Sequence, residues 1–160
     1  MTATTAVPTV VHGTFSLERN YPHSPKKVFS AFSDKAKKRR WQVEGEGFTI
    51  EKFEMDFKEG GREHASFRYM GGPLITMDLT YQNIVPDGRI LFVYSMAVEG
   101  KPMSTSLTTI EFLASASGQG TDLLFTEQGA FTDGVDSLKG REEGSRGLLE
   151  SLAKELDAHV

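Results

Sequence analysis

From His12 to Gln128 the apolar positions mostly recur every second residue, and from Val135 to Leu156 every third or fourth. The first period belongs to half-buried β-strands, the second to one face of an α-helix. Phe15 and Leu17 alternate with Thr14, Ser16 and Glu18 in a strand over His12 to Tyr21, which Pro22 ends. Ser24-Pro25 reads as an N-cap followed by proline at the first helical position. Val28, Phe29 and Phe32 continue that short helix, and Asp34 caps a second one that carries Lys35, Lys37, Lys38, Arg39 and Arg40 and closes at Trp41.

Period two then returns. Phe48 and Ile50 alternate in one phase, Phe53, Met55 and Phe57 in the other, and a change of phase within a strand predicts a β-bulge. Ala65, Phe67 and Tyr69 oppose Arg62, His64, Ser66 and Arg68; Ile75, Met77, Leu79 and Tyr81 oppose Thr76, Asp78, Thr80 and Gln82. Arg89 to Val98 is apolar on both sides, as a central strand is, with Phe92, Tyr94 and Met96 among its bulkier residues. Thr105 to Leu113 and Thr121 to Gln128 complete seven strands. Glycine- and proline-bearing turns separate them, so neighbours are hairpins and the sheet is antiparallel.

In the final helix Leu138, Ser145, Leu149, Leu152 and Leu156 form one stripe, capped by Asp133 or Asp136. Lys139, Glu142, Glu143, Arg146, Glu150, Lys154 and Glu155 are expected in water. Burial of each leucine is worth about 1.5–3 kcal/mol, so the stripe is first a structural device. The elements predict an α+β layer fold: a curved seven-stranded antiparallel sheet wrapped around a long C-terminal helix, with two short helices after the first strand. Residues 12–160 form one domain, preceded by a flexible segment over 1–11.

Composition narrows the function classes. The chain has 160 residues, no cysteine and a formal net charge of −4. Disulfides, thiolate nucleophiles and cysteine-ligated metals are excluded, and the acidic balance argues against a general nucleic-acid surface. The opening residues lack the pattern of a signal peptide and no stretch has the length of a membrane span, which points to the cytoplasm. His12, His23, His64 and His159 have no metal-ligand spacing; His64 shares a face with Arg62 and Arg68 and reads as a surface residue. No metal or cofactor is expected.

Four ordered segments then carry a resemblance. Tyr21-Pro22-His23-Ser24-Pro25 through Phe32 and Trp41, Met55-Asp56-Phe57-Lys58-Glu59-Gly60-Gly61-Arg62, Ile84 to Ile90, and Thr126 to Phe131 are similar to motifs of the activator of heat-shock-protein-90 ATPase homologue family. Gly144 with Leu149 to Ala153 resembles its last helix, although Ser145 stands where the family usually has tryptophan. The resemblance implies the helix-grip fold of the START-like, SRPBCC superfamily. It also implies an apolar or aromatic small molecule between sheet and helix, as in the superfamily's lipid-binding members. The residues assigned to that ligand are Trp41, Phe67, Tyr69, Met77, Tyr81, Phe92, Tyr94, Met96, Ser145 and Leu149. Tyrosine offers a hydroxyl on an apolar body, methionine adapts to irregular shapes, and Ser145 leaves room on the helix.

Two other readings stand beside this one. A cyclase- or hydrolase-like enzyme would use a pocket tyrosine or Glu127 on a hydrophobic substrate. A stress-related co-chaperone module would take a chaperone partner, as the family's eukaryotic members do. A homodimer through an exposed edge strand is compatible with the pattern. No catalytic residue is assigned.

Overall fold

The computed structural model describes residues 9–159. In chain order the elements are β1 (Val10–Tyr21), α1 (Pro25–Ser33), α2 (Lys35–Gln42), β2 (Phe48–Met55), β3 (Arg62–Tyr69), β4 (Ile75–Val85), β5 (Arg89–Val98), β6 (Lys101–Ala114), β7 (Thr121–Thr132) and α3 (Leu138–Ala158). The seven strands form one antiparallel sheet in the order β1-β7-β6-β5-β4-β3-β2. Each strand from β2 to β7 lies beside its sequence neighbour, as hairpins require, and β1 closes against β7 with Val10 opposite Thr132. The arrangement is the helix-grip fold expected. Of the segment read as flexible, residues 1–8 lie outside the described residues, whereas Val10 and Val11 already belong to β1.

The caps follow the sequence closely. Ser24 Oγ accepts from Lys27 N at 3.2 Å with Pro25 at the first turn, and Asp34 Oδ1 accepts from Lys37 N at 3.0 Å. The expected bulge lies between Ile50 and Lys52, and further register shifts at Tyr81/Asn83 and Met96/Ala97 help bend the sheet. At α3 the cap differs from expectation. Ser137, and neither Asp133 nor Asp136, receives Gly140 N, at 3.0 Å. Asp136 instead accepts from Ser137 N and pairs with Arg141 at 3.1 Å.

The core lies between the sheet and the three helices. A continuous row of rings crosses it: Trp41 on Phe32, Phe32 and Phe29 on Phe112, Phe29 on Phe57, Phe57 on Tyr81, then Phe92 and Tyr94. Centroid separations run from 4.9 to 6.4 Å, the range of favourable aromatic contacts. Leu149, Leu152 and Leu156 of α3 are buried in the same core. The Tyr21 hydroxyl donates to Leu149 O at 2.9 Å, and Lys27 Nζ donates to Leu156 O at 2.8 Å, so β1 and α1 both hold this helix. Glu155, expected in water, is largely covered because Arg40 of α2 grips its carboxylate at 2.6 Å.

Candidate functional site

Cover over the helix-facing side of the sheet thins toward one end. Along β4, Tyr81 and Leu79 are sealed, Met77 nearly so, and Ile75 is only partly covered. Along β3 the sequence runs from buried Ala65 through half-buried Phe67 to Tyr69, which is 51% exposed. On β5 Ile90 is sealed and Met96 is half-covered; on β2 Phe53 is buried, Phe48 and Ile50 partly open. Four neighbouring strands therefore open at the same end. Phe48 joins the rims by packing on Phe67 and Tyr69, at 5.6 and 4.9 Å between centroids.

The first half of α3 meets β1 through Leu138 and β5, β6 and β7 through Arg141. Leu138 lies against Gly13 of β1, where any Cβ would meet Leu138 Cδ2 at 2.5 Å. Ser145 is buried, as its place on the stripe requires. Gly144 and Gly147 face open space, since a Cβ at either would meet nothing within 4 Å. These two glycines are not there for close packing; both are exposed, on the side of the helix away from Arg141, Ser145 and Leu149.

A polar cluster forms the floor under that half-helix. Arg141 reaches in from α3: Nη1 donates to Tyr94 Oη at 2.8 Å and to Glu127 Oε2 at 3.1 Å, and Nη2 to Ser104 Oγ at 2.6 Å. Tyr94 Oη donates to Glu127 at 2.8 Å, and Ser106 Oγ donates to Glu127 Oε2 at 2.8 Å. Glu127 is fully buried and thus acts as the anchor of a hydrogen-bond network. Burial pushes the Tyr94 phenol well above its ordinary value, with the Glu127 charge adding and Arg141 opposing. Burial also opposes the charge on Arg141, but the Tyr94 hydroxyl, Glu127 and Asp136 outweigh it and hold the guanidinium above its usual range.

A second buried pair ties α2 to the sheet. Lys38 Nζ donates to Glu63 Oε1 at 2.6 Å, and Tyr81 Oη donates to the same oxygen at 2.6 Å. Burial, then the Glu63 charge, raise the Tyr81 phenol far above its ordinary value. The basic run Lys35 to Arg40 is therefore not a uniformly solvated face: Lys38 is turned into the core.

The expected ligand residues divide into two groups. Phe67, Tyr69 and Met96 gather at the open end, nearly sealed Met77, Phe92 and Tyr94 lie deeper, and Ser145 is buried on the helix. Trp41, Tyr81 and Leu149 belong to the filled part of the core. Trp41 Nε1 donates to Ala31 O at 2.8 Å, between α1 and α2, and Tyr81 turns its hydroxyl to Glu63. The sequence pattern did not single out Arg141 or Glu63, and it showed Lys38 only as part of the basic run. Arg141 sits three residues after Leu138 and four before Ser145, on the stripe itself, and that spacing was its signal. Among the described residues, no group of three or more His, Asp or Glu side chains is placed to hold a metal, and no helix is long and apolar enough to cross a membrane.

A curved antiparallel sheet gripping one long helix defines a START-like protein, and the comparisons place it within that class. The chain belongs to the family of Activator of Hsp90 ATPase homolog 1-like proteins, whose model matches residues 22–157. It is 57% identical to the Mll3558 protein from Rhizobium loti, a crystal structure that matches with a TM-score of 0.84 over 92% of this chain and 99% of that one. An uncharacterized protein from Rhizobium leguminosarum is 31% identical, with a TM-score of 0.89 over 96% and 100% of the two chains. The AHSA1-like protein from Aeromonas hydrophila, 16% identical with a TM-score of 0.71 over 91% and 93%, shares the fold. No match is found among curated proteins. Family and fold together support a ligand-binding or co-chaperone-like module.

Proposed function

We propose that this protein binds an apolar, aromatic-sized small molecule without transforming it. The ligand enters at the open end of β2–β5 and lies under the first half of α3. The observation that carries this reading is the shared loss of cover along the inward faces of four adjacent strands, at the end lined by Phe48, Phe67, Ile75 and Met96. An apolar face left partly open fits a guest better than it fits water. Ser145 supplies room and one polar contact, and Tyr94 with Arg141 sets a polar end for the ligand to meet. The polar groups in reach are already paired with one another, which favours binding over acid–base chemistry.

Thermal shift against fatty acids, flavonoids, aromatic polyketides and sterols tests the proposal. A ligand at a hundred times its Kd adds about 2.7 kcal/mol, a rise of several degrees in Tm. Ser145→Trp should fill the space and abolish the shift while the protein stays folded. A ligand that stabilises both forms equally would place the site elsewhere and end this reading.

A further inference from the structure

The outer face of the sheet, opposite the helices, holds a second constellation. His64 on β3 and Asp78 on β4 are direct register partners, and His64 Nδ1 lies 2.7 Å from Asp78 Oδ1. Ser66, two residues along β3 on the same face, places its Oγ 3.0 Å from His64 Nε2. A carboxylate only accepts hydrogen bonds, so Nδ1 carries a proton, and in the neutral ring Nε2 is then the acceptor for the serine hydroxyl. The imidazole thus reaches across to the neighbouring strand with one nitrogen and along its own strand with the other. These are the roles and distances of a serine nucleophile, a general base and its orienting acid.

The surroundings fit that chemistry. His64 and Asp78 line a groove of about 640 Å3 with Lys52, Glu54, Arg62 and Thr80. Ser66, only 9% exposed, lies outside that lining and meets it through His64 Nε2; it is held on a strand paired on both edges, which keeps the three groups in fixed geometry. Lys52 stands directly across from Ser66 on β2, its side chain more than half-exposed and its ammonium 3.4 Å from Glu54. Strand amides here are committed to the ladder, so an oxyanion would be met by the Lys52 ammonium only once it leaves Glu54. Each N–H donor missing from an oxyanion site forgoes about 10²–10³ in rate.

We propose that Ser66, His64 and Asp78 form an esterase site on the outer face, acting slowly on small polar carboxylic esters with phenol-like leaving groups. Ser66 Oγ adds to the carbonyl carbon as its proton passes to His64 Nε2. The bond from that carbon to the phenolic oxygen breaks, and the phenol leaves with the proton. Water, deprotonated by the same nitrogen, then cleaves the acyl-serine, releasing the carboxylic acid and restoring Ser66. Ser66 and His64 are the catalytic residues; Asp78 positions the ring. The site lies on the opposite side of the sheet from the proposed ligand end and stands or falls independently of it.

Intact-mass measurement after exposure to a small fluorophosphonate tests this, with hydrolysis of 4-nitrophenyl acetate followed in parallel. The expected result is a single adduct mapped to Ser66 by peptide analysis and absent from Ser66→Ala. His64→Gln should label about a hundredfold more slowly, the scale of a lost general base. Asp78→Asn should also slow labelling, with Tm unchanged in the His64 and Asp78 variants because both side chains are open to solvent. No adduct, an adduct on another residue, or labelling undiminished in His64→Gln or Asp78→Asn overturns the proposal.

Discussion

Arg141 and Glu127 are charged groups taken out of water, and each depends on the other. Arg141→Met leaves Glu127 buried with only the Tyr94 and Ser106 hydroxyls as donors, and such broken pairs lose about 3–5 kcal/mol. Adding Glu127→Leu should recover most of that loss, because a buried pair and well-packed apolar residues are often close in stability. Urea unfolding of both variants decides it; a double mutant no better than the single one would show that the carboxylate is not what the arginine answers. The same residues explain where sequence reading stopped. Arg141 lies on the apolar stripe, and Glu63 falls on the inward phase of β3 beside Ala65 and Phe67, but a charge on such a position is read outward by default. Lys38 looks like one of five cations until Glu63 is known to lie beneath it. Each buried ion is legible only once its partner is found, and the partners are far apart in sequence. His64, Ser66 and Asp78 were all assigned to the polar face; what could not be read was the register that sets His64 opposite Asp78.

At the scale of elements, α3 combines a well-anchored second half with a first half weakened by glycine. Gly144→Ala and Gly147→Ala place a methyl in open space and remove a helix penalty of about 1 kcal/mol each. Each should raise Tm by roughly 2–4 °C in a chain of this size. Gly129→Ala, on β7, should do the opposite, since its Cβ would lie 2.8 Å from the Phe131 ring and 2.9 Å from Ser106 Oγ. Scanning calorimetry of the three variants tests the contrast, and equal shifts for all would discredit it. Element types and order were readable because period-two and period-3.6 patterns hardly overlap in this chain. Strand ends were less so: β7 continues to Thr132 because β1 pairs with it there, a long-range contact that local pattern does not encode. The α3 cap was misplaced for a similar reason, because Asp136 is claimed by Arg141 and leaves the capping to Ser137.

For the whole molecule, three tyrosines turn burial into sensitivity to alkali. Burial is the first cause of the raised phenols of Tyr21, Tyr81 and Tyr94; the Glu63 and Glu127 charges add to it for the last two. A phenol whose native value is raised contributes stability in full below its unfolded value, near 10, and loses it as pH climbs toward the native one. The unfolded chain releases those protons first, so stability should fall above about pH 10 by roughly 1.4 kcal/mol per unit for each tyrosine. Denaturant midpoints between pH 9 and 11.5, with absorbance at 295 nm to follow phenolate, test the slope; a flat profile would refute it. Sheet closure has a different consequence, one of timing. The strands β2 to β7 can pair one after another as the chain leaves the ribosome, but β1, made first, must wait for β7, whose Thr132 meets Val10. At about 5–20 residues per second that interval is on the order of ten seconds. Throughout it the nascent chain carries β1 unmatched, and the sheet closes only once β7 has emerged.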